Sequence, residues 1–395
     1  MKDMKKRTLS LVLALVMTLA LAVPPKGIAK DRGEEYNRVD PFFRRCAMTV
    51  HTPNYYTPFR CLAGACPHTC CAGWEVPIDP ATARLYRTLD GPLGERLRSA
   101  LTVDGTGEAA FRCHGGRCPF LNGDNLCDIH IHLGEAYTGE ICRSHPRFSY
   151  DYGPLTEVGL CASCPEALRL ILEGDMALTV IEDSRPGEDH PALLWDLLTA
   201  RETAQGLLEV EEATLGERLQ ALLLFANEVQ VLLDEGREAD VPQLCAVYRE
   251  GFPLLEGVDL PSRAEALDAC LTLLGELDIL TREWRELLAR GREALAAGEL
   301  PPPPHPNQGR RAAVYFLYRH WLRGVWDGDV LTWAAFAVLG VTVATLLAPL
   351  QEEGFPGALR LFCQELEHHQ GNLNTFQDTL WERVDLSQLL ALAGV

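Results

Sequence analysis

The glycine signatures of nucleotide and acyl chemistry are missing from this sequence. No Gly-x-Gly-x-x-Gly follows a strand-like run and no Gly-x-x-x-x-Gly-Lys occurs, which argues against a Rossmann or P-loop cofactor site. A Gly-x-Ser-x-Gly nucleophile elbow is absent as well. Positive charge is in short supply: 36 Lys plus Arg face 55 Asp plus Glu, a formal charge of −19. Such a surface repels phosphate backbones, so generic nucleic-acid binding is disfavoured. No internal repeat is evident. Apolar material is ample, with 47% hydrophobic and 23% charged residues over 395 positions, enough for one large domain or two.

Cysteine is abundant and unevenly placed. Ten of the 14 cysteines lie between positions 61 and 164. Residues 61–71 alone carry Cys61, Cys66, Cys70 and Cys71, set among small residues with Pro67 and Gly73 close by, so the backbone turns instead of forming a regular element. Cys113, Cys118, Cys127, Cys142, Cys161 and Cys164 follow. Thiolates are soft ligands, and the spacing favours Zn²⁺ or an iron–sulfur cluster over disulfides, which would need an exported chain. Cys66-x₃-Cys70 opens like the Cys-x₃-Cys-x₂-Cys loop of radical S-adenosylmethionine enzymes, but position 73 is glycine and Cys71 comes too early. Arg60, Arg112, Arg143 and Arg147 are available to balance a thiolate-bound cluster or hold an anion, and His68, His130, His132 and His145 are substitute ligands.

The chain divides by composition into three parts. Residues 1–47 read as a signal-peptide-like leader, with Lys2, Lys5, Lys6 and Arg7 ahead of an apolar run, or as a mis-assigned start, because Met48 offers a second one. Residues 48–175 read as a loop-rich cysteine module. Within it, Asp79 or Thr82 caps a helix reaching to about Ala100, Asn122-Gly123 turns a hairpin between Cys118 and Cys127, and Ile129 to Tyr137 forms a short helix. Pro165 opens another helix. Residues 176–395 read as an α-helical domain: Leu215, Leu219, Leu222, Phe225, Val229 and Leu232 recur at helical spacing, and Cys245 and Cys270 are core residues. Pro301 to Pro304 form a stiff connector. Residues 330–350 are charge-free and long enough to span a membrane, yet the threonines, Gly340, Pro349 and acidic flanks favour a buried core helix. The fold class is therefore mainly α.

The motifs carry a family resemblance. Tyr55-Tyr56 with Phe59-x-Cys61, Cys66-Pro-x-Thr-Cys70-Cys71-x-Gly-Trp74 and Ile78-Asp79 resemble the opening of flagellin lysine-N-methylases. Cys118-Pro-Phe-Leu, Leu126-Cys127-x-Ile129, Cys142-Arg143-x-x-Pro146-Arg147 and Cys164-Pro165-Glu166 continue the likeness, and Glu365-Leu366-Glu367-His368 with Asn372 resembles that family's late block. The cysteine module is also similar to a wider group of zinc- or iron-chelating domains. The resemblance implies methylation of lysine ε-amino groups on flagellin in the cytoplasm, S-adenosylmethionine as donor, and a [4Fe–4S] cluster, with Zn²⁺ as the alternative. It implies Cys61, Cys66, Cys70 and Cys71 as a first set of metal ligands, then Cys118, Cys127, Cys142 and Cys164, for that site or a second one. Tyr55, Tyr56, Glu166, Glu367 and His368 become catalytic candidates. Arg143, Arg147, Trp74 and Asn372 become cofactor-binding candidates. A non-catalytic metal-binding module and an exported disulfide-stabilised protein remain the alternatives. No stable membrane partner is expected.

Overall fold

The computed structural model describes residues 49–72, 76–103, 107–112, 117–174, 176–181, 191–255, 257–298 and 306–394. The leader-like segment, Met48, Trp74, Cys113 and the Pro301 to Pro304 connector lie outside the described residues.

Strand β1 (Thr49–Pro53) opens the described chain, followed by β2 (Pro77–Ile78) and α1 (Pro80–Thr88). Asp79 caps α1, its carboxylate accepting from the Thr82 N–H at 2.9 Å. The single helix expected to run to about Ala100 is in fact two. α1 stops at Thr88 and α2 (Gly91–Ala100) begins afresh, because Gly91 takes φ 81° and Pro92 follows it, and neither continues a helix. Strands β3 (Leu101–Val103) and β4 (Ala109–Phe111) pair with each other, and β4 pairs with β2, in an antiparallel sheet of order β2-β4-β3.

The Cys118–Cys127 segment turns as expected, but on different residues. The Asn122 side chain accepts from the Asp124 and Leu126 N–H groups, and the left-handed position is Asn125, not Gly123. The helix expected over residues 129–137 is also divided. α3 (Asp128–Leu133) ends at Gly134, φ 92°, and one 3₁₀ turn, Glu135–Tyr137, follows. Next come α4 (Glu140–Ser144), β5 (Arg147–Asp151), β6 (Leu155–Leu160), α5 (Pro165–Glu173) and β7 (Leu178–Ile181). The second sheet has the order β5-β6-β1-β7; β1 runs parallel to β6 and antiparallel to β7.

Helices then dominate: α6 (Leu194–Leu208), α7 (Leu215–Asp234), α8 (Val241–Glu250), α9 (Arg263–Glu276), α10 (Arg282–Ala296), α11 (Pro306–His320), α12 (Gly324–Asp327), α13 (Leu331–Leu347), α14 (Gly354–Leu366), α15 (Gln370–Arg383) and α16 (Leu386–Ala393). The mainly α class read from the sequence is the class observed. Capping boxes at Thr214–Glu217, Ser262–Glu265 and Asp385–Gln388 set the starts of α7, α9 and α16. α13 is the axis of the bundle, packed against α7, α9, α10, α11, α14 and α16. Residues Leu331–Leu350 are apolar enough to cross a membrane by length and composition, and 94% of that window is buried inside the protein. Cys245 and Cys270 are core residues, as expected.

Two hydrophobic cores result. The smaller joins Ile78, Tyr86, Leu97, Phe111, Phe120 and Ile129, with the Phe111 and Phe120 rings 4.7 Å apart. The larger is continuous from Tyr55 and Phe59 through Leu155, Leu160 and Leu168 into the helices. The four-stranded sheet and α5 thus belong to the helical core, as do Tyr55 and Phe59 just after β1, while the residues from Cys71 to Tyr137 form a separate packed insert. Glu157 on β6 fastens the sheet to α6: its buried carboxylate accepts two hydrogen bonds from Arg201, at 2.5 and 2.8 Å.

Candidate functional site

The fold sorts the cysteines by space, not by sequence. Cys71, Cys118, Cys127 and Cys142 gather on the edge of the small core. The Cys118 N–H donates to the Cys71 carbonyl at 2.8 Å, and Cys142 lies within electrostatic reach of Cys71, Cys118 and Cys127. Burial, together with those neighbours, pushes the Cys142 thiol up to about 12. The Cys71 thiol is raised by its hydrogen bond with the exposed Cys70 and by burial. Cys61, Cys66 and Cys164 form a second group where the insert meets the helices. Burial lifts Cys164 to about 11, with Cys66 and Cys61 adding to the rise. The 61–71 stretch therefore serves both groups, because the chain turns at Pro67 and carries Cys61 and Cys66 one way and Cys70 and Cys71 the other.

None of the twelve described cysteines is in a disulfide. Among the described residues no three Cys, His, Asp or Glu side chains stand close enough together to hold an ion as they are. The donor chemistry nonetheless suits a soft metal centre: four thiols share one edge of a core, and burial with neighbouring thiols raises Cys71, Cys127 and Cys142, a cost that a bound cation would offset.

The second group sits beside a buried polar network at the C-terminal end of α14. Glu367 accepts from Tyr315 Oη at 2.9 Å and pairs with His320 Nε2 at 2.7 Å, and Arg319 Nε stands 3.0 Å away. Tyr315 Oη in turn accepts from the Ala162 N–H and from Arg319, each at 3.0 Å, which ties the loop after β6 to α11. Burial pushes the Glu367 carboxyl up, but Arg319, His320 and Tyr315 together prevail and hold it down at about 2. Tyr55 is 3% exposed, its hydroxyl buried without a hydrogen-bond partner near Arg319, Cys161 and Glu367; burial raises its pKa. At the rim, His368 Nε2 bonds Ser163 Oγ, and the His368 and His145 rings stand 5.6 Å apart. Burial holds both imidazoles neutral, His145 at about 3 and His368 at about 4.

Tyr55, Glu367 and His368, chosen from motifs hundreds of residues apart, are thus brought together. The remaining candidates scatter. Tyr56 is half-buried and lies under the Arg147 guanidinium, 5.9 Å from the ring centroid, while the same guanidinium also covers Phe59 at 5.1 Å. Arg143 donates to the Thr138 carbonyl, which anchors α4. Glu166 is spent on Arg169, at 2.7 and 2.8 Å, along α5. Asn372 is buried and pins the segment between α9 and α10 through the Asp278 N–H and carbonyl, and Glu365 caps α10 through Leu280 and Thr281. Asn372 and Glu365 hold the late motif block in shape.

Sequence reasoning passed over Arg360, Ser163, Tyr315, Arg319 and His320. Helical spacing carries a faint signal for one of them: Arg360, Gln364 and Glu367 fall at i, i+4 and i+7 of α14, on one face. Arg360 sits 3% exposed, with Nη1 3.1 Å from Gln364 Oε1 and with Nε and Nη2 lacking any hydrogen-bond partner. Cys66 feels its charge.

No family model matches the chain, and no solved structure matches it. Curated proteins do. The chain is 28% identical over 141 residues to the flagellar biosynthetic protein FliU of Salmonella muenchen, covering 34% of this chain and 83% of that protein. It is equally similar to the lysine-N-methylases of Salmonella typhimurium and Salmonella choleraesuis, again 28% identical over 141 residues. The matched segment spans 35% of the length of each of those two proteins. Over that third of its own length, this chain is lysine-N-methylase-like.

Proposed function

We propose that the protein is a lysine N-methyltransferase acting on flagellin in the cytoplasm, with S-adenosylmethionine as methyl donor and a [4Fe–4S] cluster on its thiolates. The observation that carries this reading is the similarity to lysine-N-methylases. The grouped thiols support it. Cys71, Cys118, Cys127 and Cys142, with Cys70 alongside, are one ligand set; Cys61, Cys66 and Cys164 are the other. When bound, a cluster supplies a redox-active, Lewis-acidic centre at such a set.

The side chains themselves constrain the methyl acceptor. A lysine amine attacks only when neutral, and its ordinary pKa is about 10.4. His368, at about 4, is a poor acceptor for that proton. The gap of roughly six units corresponds to about 9 kcal/mol. Glu367 is weaker still and sealed by its partners. The proton is therefore lost to bulk solvent before the lysine enters, and the buried cations Arg319 and Arg360 disfavour an ammonium at the interface. These residues receive a neutral amine; they do not make one.

The test is anaerobic purification of the chain from Met48, assay of iron, sulfide and zinc, and incubation with flagellin and S-adenosylmethionine, with lysine methylation read by mass spectrometry. About four irons per chain, with matching sulfide and methylated lysines, is the expected result. Unmethylated flagellin with an iron-loaded protein overturns the reading. A second reading, a non-catalytic zinc- or iron-binding module, is favoured by the burial of Tyr55 and Glu367; zinc without iron and without methylation would establish it.

A further inference from the structure

One face of α5 along its length, the first turn of α11 and the N-terminal half of α14 border a cleft of about 220 Å³ beside Cys66 and Cys164. Its apolar wall is Pro165, Leu168, Leu172 and Pro356. Its polar floor holds Arg360, and its rim holds Gln308, Arg169, Glu173 and Glu353. Arg360 is buried with two donors unused, its nearest carboxylates being Glu283 and Glu353, each 3.9 Å away and beyond hydrogen-bond range. A buried guanidinium with idle donors is a site made for a carboxylate. The rest of the lining is not simply cationic. Arg169 is paired with Glu166 and Glu173, while Glu353 uses one oxygen on His68 at 2.8 Å and keeps the other free of hydrogen bonds. One cation with free donors, one partly free carboxylate and an apolar wall complement a zwitterion with an apolar stem.

We propose that this cleft binds the α-amino-carboxylate end of the methyl donor, the carboxylate on Arg360 and the ammonium beside Glu353, with the sulfur-bearing stem running along Leu168 and Leu172 toward the Cys61–Cys66–Cys164 group. The assignment rests on the methylase reading and adds to it the position and chemistry of the donor subsite.

The experiment is calorimetric titration of the anaerobically purified, metal-loaded chain with S-adenosylmethionine and with its decarboxylated analogue. The wild-type protein is expected to bind S-adenosylmethionine about ten- to a hundredfold more tightly than the analogue. Arg360→Gln should lose that preference and leave affinity for the analogue unchanged. Glu353→Gln, at a partly exposed rim position, should weaken both donors, because both carry the ammonium. Equal affinity of the wild type for the two donors, or an undiminished preference in Arg360→Gln, overturns the subsite and leaves the methylase reading standing. Binding of neither donor overturns both.

Discussion

At the scale of single residues, the buried network around Glu367 makes the protein acid-sensitive. His145, His320 and His368 all have folded pKa values depressed to about 3, 4 and 4, foremost by burial. A depressed imidazole contributes stability above its unfolded pKa of about 6.5, and that contribution is lost as pH falls toward the folded value. Glu367 adds a second loss lower down, between about 4.5 and about 2. Urea midpoints are therefore expected to fall steeply from pH 7 to pH 5, at about 1.4 kcal/mol per pH unit for each histidine; a flat profile would contradict the neutral buried imidazoles. Glu367→Gln removes the counter-charge of Arg319 and disturbs the hydrogen bond of neutral His320, and should cost about 3–5 kcal/mol at pH 7, read from the same midpoints. None of this was legible in the motif around Glu367. The sequence marks the residue, but only the packing of α11 against α14 shows that its carboxylate is already occupied.

Elements were the most legible scale. The period of Leu215 to Leu232 foretold α7, and Pro165 foretold the start of α5, because burial of one face and a fixed φ are local requirements. The residue 79–100 helix failed for an equally local reason, Gly91-Pro92 outweighing the apolar periodicity of Leu85 and Leu89. At α13 the sequence favoured a core helix over a membrane span, and 94% of that window is buried among its neighbours. That helix comes so close to its partners that Gly340 has no room for a side chain: a Cβ there would meet Phe316 at 2.6 and 2.9 Å and Phe362 at 3.1 Å. Alanine would gain about 1 kcal/mol in helix propensity and lose about 1–3 kcal/mol to overpacking. Gly340→Ala is therefore expected to lower the urea midpoint; a rise would mean that the two phenylalanines yield freely.

For the whole molecule, the two cores predict two stabilities. The insert's core is small and has its thiols along one edge, so metal binding would be a large part of its folding energy. Cys142→Ser, or a chelator, is expected to lower metal content and to release hydrogen-exchange protection across residues 76–137. Protection in α7, α11 and α13 should remain; simultaneous loss in both regions would show one cooperative unit. The split of the cysteines was hidden from the sequence for a related reason. Cys61 to Cys71 are neighbours along the chain, but Cys164 and Cys142 reach them only after the sheet and the insert have closed.

The parallel pairing of β1 with β6 also sets an order of events during synthesis. His51 and Glu157, partners in that ladder, are 106 residues apart, and the whole insert lies between them. At about 5–20 residues per second, β1 waits roughly 5–20 s for its partner to be made. The insert can pack in that interval, and its thiols are the first to assemble. The Cys61–Cys66–Cys164 group comes last, so a nascent chain would meet its metal at one end of the cysteine stretch well before the other end has a site to offer.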